Sequence, residues 1–228
     1  MSRIPLCPDC LRRPEPFVAE YSCASCGMPF QNGFPLDAEG RCALCRHGLR
    51  GFDAAYCFGS YEGRVREWIH LYKYGRVRSL SKPLIELLIA ALPRDEHFDA
   101  VVPVPLHWRK RWQRGFNQSD LLARGIARKW NVRVLKAIRR VRFTAAQAGL
   151  SNTARRKNVA SVFACRHRLS GQRLLLVDDV LTTGSTAAAC SRALRDAGAS
   201  RVTLLTVARA DRRLPALPVL NPEVDSHE

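Results

Sequence analysis

The segment Leu174 to Thr186, L-L-L-V-D-D-V-L-T-T-G-S-T, constrains this chain more than any other. Its apolar run reads as a strand, Arg173 to Val177, buried on both faces as in a parallel sheet. The run ends in two adjacent carboxylates, Asp178 and Asp179. A turn rich in hydroxyls follows, and then a helix from Thr183 to Ala197 closed by Gly198. Such a turn aims backbone N–H groups and the hydroxyls of Thr182, Thr183, Ser185 and Thr186 at one point, which cradles a phosphate dianion. Gly184 permits close backbone approach or a positive φ. Adjacent carboxylates would repel a bare phosphate. They suit sugar hydroxyls or a metal, with the phosphate one turn further on. A P-loop is excluded because G-x-x-x-x-G-K-[ST] does not occur.

Strand and helix signals alternate through the rest of the chain. Strands are predicted over Ala54–Tyr61, Phe98–Val104, Val132–Ile138 and Arg201–Ala208. Helices are predicted from Gly63, where Val65, Trp68, Ile69 and Tyr72 share a face, over Ser79–Ala91, and over Asn117–Trp130 with Asn117 or Ser119 as the N-cap. This pattern predicts an α/β fold, a mainly parallel sheet with helices on both faces, binding its ligand beyond the carboxyl ends of the strands. Residues 1–50 hold six of the nine cysteines and little hydrophobic periodicity, so they read as a small separate module. The α/β domain spans 51–210, and the proline-containing 211–228 reads as a flexible tail.

Charge is unevenly placed. Residues 101–170 carry 17 Lys and Arg against one carboxylate, Asp120, and so hold almost all of the chain's +17. An Arg-rich composition explains Arg over Lys but not the missing acids. The block implies a polyanionic partner, either nucleic acid or a multiply phosphorylated small molecule. Its candidate phosphate-binding cations are Arg109 and Arg114 after the Val102–Pro105 strand end, and Arg155, Arg156 and Lys157 in a polar loop. Trp108, Trp112 and Phe116 interleave with Arg109, Arg111 and Arg114, which suits either base stacking or packing on the sheet.

The N-terminus has no apolar run of signal-peptide length, and the longest apolar stretch, Leu84–Leu92, is too short for a bilayer. A cytoplasmic protein with no membrane insertion is expected. In a reducing compartment, three C-x-x-C pairs indicate metal. Cys23/Cys26 and Cys42/Cys45, separated by 15 residues, match the spacing of one four-cysteine zinc site. Cys7/Cys10 is then a second half-site, or it pairs with Cys23/Cys26 instead. The zinc serves as a structural staple or as part of a recognition surface, and its closed four-cysteine set favours the staple. Cys57, Cys165 and Cys190 read as packed thiols.

The full Leu174–Thr186 string resembles the phosphoribosyl-diphosphate (PRPP) motif of type I phosphoribosyltransferases. The resemblance implies that Asp178 and Asp179 bond the ribose 2′ and 3′ hydroxyls. It implies that Thr182, Thr183, Gly184, Ser185 and Thr186 hold the 5′-phosphate, and that magnesium bridges diphosphate and ribose. The implied reaction displaces diphosphate at ribose C1, and a mobile basic loop at Gln147–Val159 closes over the ligand. The segment R-G-F-N-Q after V-P-V-P, the later R-R-K-N, and the N-terminal C-x-x-C pairs extend the likeness to the ComF competence-protein family over nearly the whole chain to about residue 210. That resemblance implies a zinc module joined to a phosphoribosyltransferase-like domain and a role in DNA uptake or use. It implies PRPP as ligand, with either phosphoribosyl transfer or non-catalytic single-stranded-DNA binding as the activity. Single-stranded DNA and competence-machinery proteins are the expected partners.

Overall fold

A computed structural model describes residues 8, 12, 14, 16, 19–30, 33, 36–47, 51–106, 112, 114–141 and 162–210. The first elements are small: strands β1 (Tyr21–Ser22) and β2 (Pro29–Phe30) and a one-turn helix α1 (Ala43–Arg46). Then come β3 (Ala54–Ser60), α2 (Gly63–Lys73), a 3₁₀ turn at Arg78–Leu80, α3 (Ser81–Ala90) and β4 (Ala100–Pro103). They are followed by α4 (Gln118–Trp130), β5 (Arg133–Val134), β6 (Ile138–Arg140) and β7 (Phe163–Cys165). The chain continues through β8 (Arg173–Leu181), α5 (Ser185–Asp196) and β9 (Arg201–Arg209). The central sheet has the order β3-β9-β8-β4-β5, and every pair in it is parallel.

The period of two along the strands sorts the core into two layers. Leu174, Leu176, Val202 and Leu204 face Cys190 and Leu194 of α5. Leu175, Val177, Leu205 and Val207 face Trp68, Ile69 and Tyr72 of α2, together with α3 and α4. Helices therefore cover both faces, and the apolar run at 174–177 is buried on each side, as its sequence requires. Within the described residues, no helix is long and apolar enough to cross a membrane.

The cysteine-rich segment packs on the first of these layers. Met28 and Phe30 lie in the same buried cluster as Leu174 and Leu176. The Ala55 N–H donates to the Cys26 carbonyl at 3.0 Å, so the turn between Cys23 and Cys26 sits on edge strand β3. The Arg209 guanidinium lies 3.9 Å from the Phe30 ring centroid and contacts the Met28 sulfur.

Three local expectations change. The strand at Arg173 runs on to Leu181, so both carboxylates are strand residues. The single strand expected over 132–138 divides. Its ladder with β4 ends where the Leu135 N–H meets the Val101 carbonyl, and β6 then pairs antiparallel with β7. Asn117 occupies the N-cap of α4 without a capping side-chain bond, because its amide donates across to the Val104 carbonyl at 3.2 Å.

Gly198, just past α5, has φ +108, and a Cβ there would come within 2.3 Å of the Leu169 carbonyl oxygen. Gly198→Ala should therefore cost more than about 2 kcal/mol, from left-handed backbone strain plus a clash that only the main chain can relieve. The expected reading is a thermal midpoint lowered by several degrees. An unchanged midpoint would contradict it.

Candidate functional site

The carboxyl ends of β4 and β8 open into a cavity of about 800 Å³. Asp178, Asp179, Ser185 and Thr186 line it from the β8–α5 connection. Gly184, buried and at φ +74, forms the N-cap of α5, so the chain turns from strand to helix through a conformation suited to glycine. Thr182, Thr183, Ser185 and Thr186 are exposed around it. The Thr183 and Ser185 hydroxyls lie 3.0 Å apart, one donating to the other.

The two carboxylates have different surroundings. Asp179 forms an ion pair with Lys73 at 2.7 Å, and both side chains are almost fully buried. Asp178 Oδ1 accepts from the Ser119 hydroxyl and from the Asp179 backbone N–H, each at 2.9 Å. Burial, and next the charge of Asp179, push the Asp178 carboxyl up to about 7. The Asp179 N–H, Lys73 and the Ser119 hydroxyl oppose that rise.

Lys73 was not among the residues picked from sequence. It ends α2, where a cation reads as an ordinary complement to the helix dipole. The available signal was its register: Lys73 lies four residues after Ile69, on the buried stripe. The hydroxyl of the fully buried Tyr72 donates to the Gln118 carbonyl at 3.0 Å and ties the end of α2 to the start of α4. That bond holds Lys73 and Ser119 on the same side of the cavity.

The cavity is also basic. Arg114, Arg140 and Arg192 line it together with Lys73. Arg114 donates to Gln118 Oε1 at 3.2 Å and lies over the Tyr74 ring at 5.2 Å. Arg140 is carried by β6, a short strand outside the central sheet. Gln118 is fully buried, and its Nε2 has no hydrogen-bond partner among the described residues. Four cations, two carboxylates and a spare buried donor fit an anionic ligand that also carries hydroxyls or a cation.

Arg109, Arg155, Arg156, Lys157 and Trp108 lie outside the described residues. The aromatics of the basic block do not behave alike. Phe116 is buried against Tyr72, with ring centroids 5.3 Å apart, whereas Trp112 is 85% exposed.

A second site is built by cysteines. The Sγ atoms of Cys23, Cys26, Cys42 and Cys45 all lie within 4.8 Å of one another. Individual separations are 3.7 Å for Cys23–Cys45, 4.0 Å for Cys26–Cys42 and 3.6 Å for Cys42–Cys45. A tetrahedral zinc with bonds of about 2.3 Å would set its sulfurs about 3.8 Å apart, so the cluster has the right size for that ion. The Cys42 N–H donates to the Cys23 sulfur at 3.2 Å. The bond from the Cys26 thiol holds Cys42 down at about 5, while the same pairing and burial push Cys26 up. Such a cluster could hold a metal ion. Cys7 and Cys10 lie outside the described residues. Among the single cysteines, burial pushes Cys57 up to about 11 and Cys190 well above its ordinary value, as for inert packed thiols.

The family model described as "Phosphoribosyl transferase domain" matches residues 120–225, from α4 past β9. The DNA utilization protein YhgH of Escherichia coli O157:H7 is 30% identical over 197 residues, which cover 82% of this chain and 83% of that protein. Competence protein F of Haemophilus influenzae is 30% identical over 215 residues, 90% of each chain. Among solved structures, a Bacillus subtilis glutamine PRPP amidotransferase complexed with ADP and GMP aligns with a TM-score of 0.42 and 23% identity. That alignment covers 56% of this chain and 26% of the enzyme's length. From its relatives and its parallel sheet, the chain belongs to the ComF family of competence and DNA-utilization proteins and has a phosphoribosyltransferase-like fold.

Proposed function

We propose that the cavity above β4 and β8 binds PRPP together with magnesium. The observation that carries this reading is the bipolar lining: Asp178 and Asp179 on one side and Lys73, Arg114, Arg140 and Arg192 around them. On this reading the two carboxylates accept from the ribose diol. The turn from Thr182 to Thr186 holds the 5′-phosphate at the N-terminus of α5. The four cations face the diphosphate, joined by Arg109, Arg155, Arg156 and Lys157 from their basic segments. Asp178 and Asp179 are the oxygen donors the cavity offers a hard cation, and magnesium when bound supplies charge neutralisation to the diphosphate. Diphosphate is the leaving group of a phosphoribosyl transfer, so cations preorganised around it would stabilise its departure. Zinc is the metal proposed for the cysteine cluster, with a structural role, and the cytoplasm is the proposed compartment.

Calorimetric titration of PRPP with and without magnesium tests the reading. Magnesium-dependent binding is expected in the wild type, and its loss in the Asp178→Ala/Asp179→Ala double variant. A folded wild type that binds no PRPP would overturn it. Diphosphate release in the presence of an acceptor would add catalysis.

A second reading is favoured by the 17-to-1 excess of cations in residues 101–170 and by relatives named for DNA utilization and competence. On that reading the protein binds single-stranded DNA, with PRPP as a regulatory ligand and competence proteins as partners. Affinity for a strand should then fall steeply with salt, as counterions are released. Salt-independent binding would reject it.

A further inference from the structure

We infer that Tyr74, Trp112 and Arg114 form a platform at the cavity mouth that stacks the bases of single-stranded nucleic acid. The inference rests on the nucleic-acid reading for the class of ligand and adds the surface that takes it.

An exposed aromatic ring beside a cation offers a face on which a base can stack. Among the described residues only Tyr21, Tyr74 and Trp112 are large hydrophobic side chains that remain exposed, and Tyr74 and Trp112 are the most open, at 61% and 85%. Among the described residues, only Tyr74 of the two is seen in contact with a cation. Arg114 lies over the Tyr74 ring, and Trp112 precedes Arg114 by two residues. Arg114 also lines the cavity, as does Lys73, the neighbour of Tyr74. The platform is therefore one side chain away from the phosphate-type site.

The rings are ordered in advance. Along α2, His70 packs on Tyr74 with centroids 5.1 Å apart, and Tyr61 lies 6.5 Å beyond His70. Tyr61, His70, Tyr74 and the Arg114 guanidinium make a continuous row of planar groups ending at the cavity. A ring held by a guanidinium and a neighbouring ring loses little rotamer freedom when a base stacks on it. The surroundings suit a strand better than a protein partner. Between Gly63 and Leu80 there are five Lys and Arg against one carboxylate, Glu67. Apolar docking surfaces for proteins are depleted in charge at their centres, whereas strand-binding grooves combine aromatic faces with cations.

The test uses the full chain and fluorescence anisotropy at one fixed salt concentration. The probes are a labelled short oligothymidylate and an abasic strand of the same length and charge. The wild type should bind oligothymidylate more tightly than the abasic strand. Tyr74→Ala should weaken oligothymidylate binding about tenfold and leave abasic binding unchanged, while Tyr74→Phe keeps the wild-type affinity. Trp112→Ala should show the same base-selective loss and requires no repacking, since its side chain is almost fully exposed. Equal affinity of the wild type for both strands would overturn the proposal. So would Tyr74→Ala and Trp112→Ala binding oligothymidylate as tightly as the wild type. PRPP calorimetry on the same samples separates the two readings. Loss of PRPP binding in the wild type would refute the PRPP reading while leaving the strand comparison intact. Retained PRPP binding in Tyr74→Ala shows that any loss of strand affinity is local to the platform.

Discussion

Asp178→Asn is expected to give a protein that is more stable than the wild type and unable to hold magnesium and PRPP. Asp178 is buried beside Asp179, and its carboxyl is pushed up to about 7. The unfolded chain would titrate it near 3.9. Because the native value is the higher one, the native state keeps a proton that the unfolded state releases. Stability attributable to Asp178 is then present below about pH 4, falls as pH rises between about 4 and 7, and is absent above that window. Asparagine keeps the oxygen that accepts from Ser119 and from the Asp179 N–H and removes the second buried charge. A gain on the order of 2 kcal/mol at pH 8 is expected, which is a rise of several degrees in the thermal midpoint. Ligand affinity should move the other way. The wild type should bind magnesium and PRPP more tightly as pH climbs toward about 7 and level off above it. Asp178→Asn should lose at least about a hundredfold at pH 8, the order expected for removing one charge-assisted partner in a buried site. Thermal denaturation and calorimetry across pH 5 to 8 check both halves. An Asp178→Asn protein that is less stable at pH 8, or that binds as well as the wild type, would refute the account of this carboxyl.

Removing metal from the cysteine cluster is expected to have the larger structural effect. Among the described residues, 19–47 contain two two-residue strands and a one-turn helix. Their buried side chains include Cys23, Cys26 and Cys42 themselves. Four thiols gathered within 4.8 Å would repel if they ionised together, and a bound cation would offset that repulsion. Structural zinc in small domains contributes on the order of 10 kcal/mol. Part of that remains available from Met28 and Phe30 packing on the sheet, so a loss of about 5 kcal/mol is expected, or a midpoint lower by more than about 10 °C. Protein purified anaerobically without chelator should carry one zinc equivalent per chain. Cys42→Ser should release it and expose residues 19–47 to proteolysis. A second equivalent would assign Cys7 and Cys10 to a site of their own. Finding no metal, or an unchanged midpoint in Cys42→Ser, would sink the staple.

The legible parts of the molecule are those whose chemistry is local. The run of apolar residues at 174–177, the paired acids and the turn after them lie within one strand–turn–helix unit. Their spacing therefore survives into three dimensions without help from distant chain. The cysteine pairs are legible for the same reason, because a two-residue gap already fixes half of a site. Lys73, Ser119 and Arg140 were not legible as cavity residues. Each belongs to an element whose own pattern is satisfied without them. They meet Asp178 and Asp179 only because β8 runs through the middle of the sheet with α2 and α4 on one face and β6 beside the other. Likewise, the break after Val134 depends on where β4 stops offering partners, which nothing inside 132–138 records. The interleaved aromatics looked equivalent in sequence, and only packing separated the buried Phe116 from the open Trp112.

The position of β3 has a consequence for synthesis. This strand leaves the ribosome early, yet its one sheet neighbour is β9, which ends at Arg209. The β3 edge facing β9 must wait for some 140 residues of later chain, a long delay for a parallel pairing. Its other edge meets the Cys26 turn at Ala55, a contact that needs only residues already made. Early metal capture would thus shield one side of a nascent strand that cannot yet complete its sheet. A chain stalled before Arg201 would keep β3 half-templated and prone to pairing with other copies.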